Sequence, residues 1–120
     1  MEPVSRRRGS SLPDDCLFCK LFREGEHVAS TDGFVAIRDI NPQAGTHLLV
    51  IPERHVETFR DIAQLTAEED KRMLDFVAEV AGGEGLTDYR VVVNVGSGAG
   101  QTIFHLHWHI LSGGLTGRMA

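Results

Sequence analysis

The segment that most constrains the fold of this 120-residue chain is an alternation of histidine with apolar residues between His105 and His109. Successive side chains of a β-strand point to opposite faces, so a strand over residues 103–111 would carry all three histidines on one face. Leu106 and Trp108 would then point to the other face, towards a core. We therefore predict a strand that is apolar on one face and carries a polar site on the other.

Local signals along the rest of the chain predict four more strands and two helices. Asp32-Gly33 is a hairpin turn, because both residue types tolerate positive φ. Thr66 and Glu69 form a capping box, which begins a long helix. The predicted elements are a short helix starting at Pro13-Asp14-Asp15 and ending at Gly25, strands over 27–31, 34–38, 46–51 and 89–95, and a long helix over 66–82.

These elements indicate an α+β domain in which the helices cover one face of a five-stranded antiparallel sheet. Residues 48–51 are apolar at every position, so we predict that strand 46–51 is central. Residues 1–13 mix Arg, Ser, Gly and Pro without periodicity and are predicted to be a disordered tail. Residues 14–120 are then the folded domain.

Composition and charge exclude several classes of protein. With 42% hydrophobic residues, the chain can bury an ordinary core without disulfides. A net charge of −5 argues against binding along a nucleic-acid backbone. No apolar run exceeds four residues, whereas roughly 20 cross a bilayer, and no apolar segment follows Arg6-Arg7-Arg8 as in a secretory signal. We predict a cytoplasmic protein without a nucleic-acid or membrane partner.

The histidines and cysteines allow two kinds of chemistry. Cys16 and Cys19 are spaced as Cys-x-x-Cys, and with a His-x-His pair they could hold zinc. Alternatively, a neutral imidazole could act as a nucleophile, while its neighbours hold a phosphate and protonate the leaving group. The two interpretations need different histidines and can both be true. A redox role for the cysteines is disfavoured, because the strand-then-helix context of thioredoxin-like proteins is absent.

A glycine-rich loop over residues 96–100 favours phosphate chemistry. Gly96, Gly98 and Gly100 would let successive backbone N–H groups converge into an anion-binding concavity. The loop leads directly into the histidine segment. It is not a dinucleotide fingerprint, because a strand follows it instead of a helix.

The segment from His105 to Leu111 matches the His-φ-His-φ-His-φ-φ signature of the histidine triad superfamily. It resembles the Hint branch, which keeps a histidine at the position of His109, where other branches tend to have glutamine. Residues 16–20, 39–47 and 93–102 also resemble family segments, and residues 16–114 run in register with the family. The chain is identified as a member on these residues.

The resemblance implies a homodimer with a continuous sheet that hydrolyses purine nucleoside 5′-phosphoramidates without an organic cofactor. His107 would be the nucleophile and form a nucleotidyl-histidine intermediate. His47 and His109 would bind phosphoryl oxygens or fix its tautomer, and Thr102 would reach the leaving-group nitrogen. The implied nucleotide contacts are Phe18, Asp39, Ile40, Asn94, Gly100, Gln101, Thr102, His107 and His109, with Leu17, Phe18, Ile37 and Ile40 as walls of the base site.

Some members of the superfamily bind zinc at positions that match Cys16, Cys19, His55 and His105. All four residue types are present, so the resemblance implies a structural zinc that ties the first helix to the sheet. The C-terminal residues 112–120 depart from the family, because they lack its Trp and prolines. The resemblance therefore does not predict which amine is the leaving group.

Two other functions remain alternatives at this point. One is a hydrolase of dinucleoside polyphosphates or another nucleotidyl conjugate, which His109 disfavours. The other is a nucleotide-binding regulatory module in which catalysis is incidental, which an intact His107 disfavours.

Overall fold

The computed structural model describes residues 16–115. The predicted tail over 1–13, the predicted helix start at 13–15 and residues 116–120 lie outside the described residues. The helices are α1 (Leu17–Glu24) and α2 (Ala67–Gly83), and the strands are β1 (Ala29–Thr31), β2 (Phe34–Arg38), β3 (Thr46–Pro52), β4 (Arg90–Val92) and β5 (Trp108–Ser112). Short 3-10 helices span Phe59–Gln64 and Ser97–Ala99.

The strands form one antiparallel sheet in the order β1-β2-β3-β5-β4. The predicted α+β fold, with a five-stranded antiparallel sheet, one long helix and one short helix, is confirmed. Strand β3 is central, as predicted, and it pairs His47 with Leu111 and Leu49 with His109. This register brings His47 and His109 onto the same face of the sheet, in pairs two positions apart along the two strands.

The prediction that both helices cover one face of the sheet is wrong. Helix α2 packs on one face, whereas Phe18 of α1 packs on the other. The physical reason is that β2 and β3 are apolar at nearly every position, so both faces of the sheet must be covered. The α2 side buries Phe34, Ala36, Leu48, Val50 and Ile110, and the α1 side buries Val35, Ile37, Leu49 and Ile51.

Strand β5 is shorter than the predicted strand over 103–111, and β4 is shorter than the one over 89–95. Pairing of β5 starts at Trp108, because the preceding residues are bonded elsewhere. The backbone N–H of Leu106 donates to the carbonyl of Val56, and a ring N–H of His105 donates to the carbonyl of Pro52. The predicted alternation nevertheless holds: Leu106 is in the α2-side core, and the rings of His105 and His107 contact Phe18.

The turn and capping predictions are confirmed in detail. Thr31 pairs with Phe34 across a turn in which Gly33 has a φ of 89°. At the start of α2, Glu69 N–H donates to Thr66 Oγ1 at 3.0 Å, and Thr66 N–H donates to Glu69 Oε1 at 2.8 Å. Among residues 16–115, no helix is long and apolar enough to span a membrane.

Candidate active site and metal centre

The central histidine of the signature is held in one tautomer. His107 Nδ1 lies 2.7 Å from the backbone oxygen of His105. A carbonyl oxygen only accepts hydrogen bonds, so Nδ1 carries the proton and donates, and in the neutral ring Nε2 carries the lone pair. The edge of the Phe18 ring packs against this imidazole, with centroids 4.8 Å apart. His107 therefore has a fixed orientation and one basic nitrogen.

A chain of hydrogen bonds orients the other two histidines on this face. The backbone N–H of Gln43 donates to His47 Nδ1 at 3.0 Å, so neutral His47 carries its proton on Nε2. His47 Nε2 lies 2.8 Å from His109 Nδ1 and 3.3 Å from Asp39 Oδ2. When His109 accepts this hydrogen bond, its own proton is on Nε2. A carboxylate and a backbone amide thus set both tautomers.

The second and third histidines of the signature, His107 and His109, favour their neutral forms. Burial lowers the pKa of His107 below its ordinary value. Burial, followed by the charges of His107 and His47, lowers the pKa of His109 to about 4. A neutral imidazole keeps its lone pair for attack on an electrophile, so near neutral pH the His107 ring is in the form that a nucleophile needs.

The depressed pKa of His109 makes stability depend on pH. Between the ordinary value of 6.5 and about 4, the unfolded chain binds a proton at His109 that the folded chain does not. The free energy of unfolding therefore falls as the pH drops through this window. We expect His109→Asn to flatten this dependence in urea titrations from pH 7 to pH 4, relative to wild type and the exposed-site control His27→Asn. A wild-type slope in His109→Asn would contradict the prediction.

The buried side chain of Gln101 supports the glycine loop through hydrogen bonds. Gln101 is 3% exposed; its Oε1 accepts from Gly96 N–H at 2.9 Å, and its Nε2 donates to the carbonyls of Glu57 and Ile103. Gly96 and Gly100 have φ values of 88° and 96°, which favour glycine. The N–H groups of residues 99, 100 and 101 donate to carbonyls within the loop, so they do not form the predicted concavity. Gln101 shapes the loop through these contacts.

The other predicted contact residues differ in exposure and position. Thr102 is exposed, and Asn94 is half-buried next to Gly100. Ile37 and Ile40 line a cavity of about 620 Å³, as do Leu21 of α1 and residues 25–28, which precede β1. Leu17 is half exposed and Phe18 is in the core, and neither lines this cavity.

Cys16, Cys19, His55 and His105 converge at the start of α1. Their four donor atoms lie within 4.8 Å of one another. Cys16 Sγ and Cys19 Sγ lie 3.3 and 3.5 Å from His105 Nδ1, Cys19 Sγ lies 3.3 Å from His55 Nδ1, and the two Nδ1 atoms are 3.2 Å apart. Tetrahedral zinc separates sulfur and nitrogen ligands by about 3.6 Å and two nitrogens by about 3.4 Å. The donor set and its spacing fit zinc.

Two further observations support metal binding at this cluster. Burial raises the pKa of the Cys16 thiol, but interactions with His105, His55 and the Cys19 backbone outweigh it and lower the pKa to about 5. Cys16 therefore favours the thiolate, which is the form that binds metal. His105 donates its Nε2–H to the carbonyl of Pro52 at 2.8 Å, which leaves the Nδ1 lone pair available to a metal ion.

Comparison with known proteins identifies the family. The HIT domain family matches residues 23–114. The chain belongs to the HIT domain family. An uncharacterized HIT-like protein of Chlamydia trachomatis is 42% identical over 100 residues, covering 81% of this chain and 88% of that protein. The purine nucleoside phosphoramidase of Escherichia coli K12 is 33% identical over 113 residues, covering 90% of this chain and 95% of that protein.

Solved structures agree with this assignment. A HIT family hydrolase from Legionella pneumophila is 38% identical with a TM-score of 0.72, covering 82% of this chain and 93% of that one. A histidine triad protein from Clostridium difficile is 32% identical with a TM-score of 0.77, covering 88% of this chain and 96% of that one. The protein is a HIT family hydrolase, which confirms the predicted superfamily.

Sequence reasoning missed several groups in the HIT site. The Gln43 backbone N–H orients His47, and Leu21 lines the cavity. The Arg60 guanidinium lies against Gly96, where a Cβ would be 3.2 Å from Nη2. Arg60 is placed by a second capping box, Thr58 with Asp61, which was visible in the sequence. The roles of the other two groups have no local sequence signal.

Proposed function

We propose that this HIT hydrolase cleaves purine nucleoside 5′-phosphoramidates in two steps through a nucleotidyl-His107 intermediate. The observation that supports the proposal most strongly is the hydrogen bond from His107 Nδ1–H to the His105 carbonyl. It leaves Nε2 basic, and the carbonyl stabilises the positive charge that develops on the ring when Nε2 attacks phosphorus.

In the first step, His107 Nε2 forms a bond to the α-phosphorus and the bond from phosphorus to the amine breaks. The departing amine takes a proton from His109, because a bound phosphate anion favours the protonated ring. Thr102 contacts the leaving nitrogen. In the second step, water attacks phosphorus and gives a proton to His109. The nucleoside monophosphate leaves, and Nε2 of His107 regains its lone pair.

The nucleotide would extend from the histidines to the cavity across Asp39. Asp39 Oδ2 lies 3.3 Å from His47 Nε2, and the next residue, Ile40, lines the cavity and is 92% exposed. A purine ring would cover this isoleucine, while the Asp39 carboxylate accepts hydrogen bonds from ribose hydroxyls. Cavities of about 300–1,000 Å³ are typical of small-molecule sites.

We propose zinc as the metal of the cluster of Cys16, Cys19, His55 and His105. When bound, zinc would supply a structural cross-link between the start of α1 and the segments after β3 and before β5. No step of the hydrolysis uses it.

We also propose that two copies associate through β4, in a cytoplasmic homodimer built on residues 14–120. Strand β4 lies at the end of the sheet, and Tyr89 and Val91 are exposed there. An outer strand with exposed apolar side chains is stabilised by pairing with another strand.

Turnover of an adenosine 5′-phosphoramidate with a fluorogenic amine tests the proposed function. We expect the wild-type protein to hydrolyse this substrate. Asp39→Ala should raise KM about tenfold or more through loss of the ribose contact, with a smaller effect on kcat. Asp75→Ala, an exposed carboxylate on α2, is the matched control and should behave as wild type.

Two outcomes would overturn the proposal. If folded wild type binds AMP without turnover, the protein is a nucleotide-binding module. If it cleaves diadenosine polyphosphates much faster than the phosphoramidate, the bond that it acts on is a phosphoanhydride.

A further inference from the structure

The cavity beside Asp39 has a polar side as well as an apolar one. Leu21, Ile37 and Ile40 supply apolar walls, and Glu26, His27, Arg38 and Glu84 also line it. Apolar walls bind any flat aromatic ring, so they do not distinguish one purine from another. The polar lining residues are therefore the groups that can select a base.

Three of the four polar residues are already bonded within the protein. Arg38 Nη2 donates to Glu84 Oε1 at 2.9 Å, so these two charges compensate each other. His27 Nε2 donates to the carbonyl of Leu21 at 3.1 Å. Within residues 16–115, Glu26 has neither an ion pair nor a side-chain hydrogen bond. Its carboxylate is an acceptor without a donor.

We propose that Glu26 makes this site prefer guanine to adenine, an inference that rests on the proposed function. A carboxylate only accepts hydrogen bonds. Guanine presents two adjacent donors, N1–H and the 2-amino group, which match the two oxygens of one carboxylate. Adenine presents a lone pair at N1 next to a single amino donor, so one carboxylate oxygen would face a lone pair. Hypoxanthine has N1–H without the 2-amino group and is intermediate.

Position within the site supports the same assignment. Glu26 follows Gly25, which ends α1, and it lies in the same cavity as Ile40, the residue after Asp39. With ribose at Asp39, the base enters this cavity. The apolar walls cover the faces of the ring, and its polar edge is then available to Glu26.

The test is calorimetric binding of GMP, IMP and AMP to wild type, Glu26→Gln, Glu26→Ala and the control Glu24→Ala. Glu24 is the last residue of α1, is exposed and does not line the cavity. We expect wild type and Glu24→Ala to bind GMP about tenfold more tightly than AMP, with IMP between them. For both Glu26 variants, the affinities for GMP and AMP should lie within about twofold of each other, mainly because the affinity for GMP falls.

The outcomes separate this inference from the function on which it rests. Equal affinity of wild type for GMP and AMP would overturn the role of Glu26 and leave the proposed function intact. A preference for GMP that persists in Glu26→Ala would overturn it as well. If no nucleotide binds wild type, both proposals fail.

Discussion

Replacing His107 with asparagine should reduce turnover of an adenosine 5′-phosphoramidate by about 10⁴-fold or more. Removal of a catalytic nucleophile has an effect of this order, because the two-step route is lost. Asparagine suits the test, because its side-chain N–H₂ can still donate to the His105 carbonyl that His107 Nδ1–H now contacts at 2.7 Å. The variant therefore removes Nε2 and keeps the bond that orients the side chain.

Two measurements connect this loss to a covalent intermediate. Mass spectrometry of wild type quenched during turnover should show one nucleotidyl group on His107 and none on His107→Asn. Hydrolysis of a substrate with a chiral phosphorus should retain configuration, because two in-line displacements each invert it. Inversion, or turnover by His107→Asn within tenfold of wild type, would contradict the nucleophilic role. Asp75→Ala, the exposed variant on α2, controls for nonspecific effects.

Replacing Cys19 with serine should remove the metal and lower the free energy of unfolding by at least about 3 kcal/mol. Loss of a structural metal has effects of this size, because its binding free energy contributes to folding. Cys19 is 6% exposed, and its sulfur contacts the Nδ1 atoms of both His55 and His105. Removing one thiolate therefore leaves two imidazoles and one cysteine close together without the ion.

Metal analysis and denaturation of protein purified without a histidine tag test this expectation. Wild type should contain about one zinc per chain, and a strong chelator should lower its Tm. Cys19→Ser should lack zinc, and its Tm should not respond to the chelator. Lys20→Ser, the exposed neighbour on α1, is the matched control. Zinc well below one per chain in wild type, with no response to chelator, would contradict the proposed metal.

Much of the fold follows from local sequence signals. The predictions of strand length were wrong where backbone groups form hydrogen bonds with residues distant in the sequence. The Asp32-Gly33 turn and the Thr66 capping box each involve a few neighbouring residues, and both predictions are confirmed. The strand over 103–111 was predicted too long, because the backbone N–H of Leu106 donates to the carbonyl of Val56, beyond the end of β3, and the His105 ring contacts Cys16. Alternation alone does not reveal such partners.

The residues of the candidate site were predictable by type, whereas their chemical states were not. Alternation placed His105 and His107 on the side of the sheet that α1 covers. The tautomer of His105 depends on the carbonyl of Pro52, and that of His107 depends on the backbone conformation at His105, so residue type alone determines neither. The same holds for Glu26, which has no motif and is noticeable only because it lines a cavity beside Asp39.

The alternation between His105 and Ile110 limits which mutations this segment can tolerate. His105, Leu106 and Ile110 are all at most 1% exposed, with the histidine and the two apolar residues on opposite sides. Deleting or inserting one residue between them would exchange the sides and place apolar groups among the histidines. We therefore expect a single-codon insertion or deletion here to disrupt the proposed metal cluster and the core packing together, whereas a substitution would affect one of them.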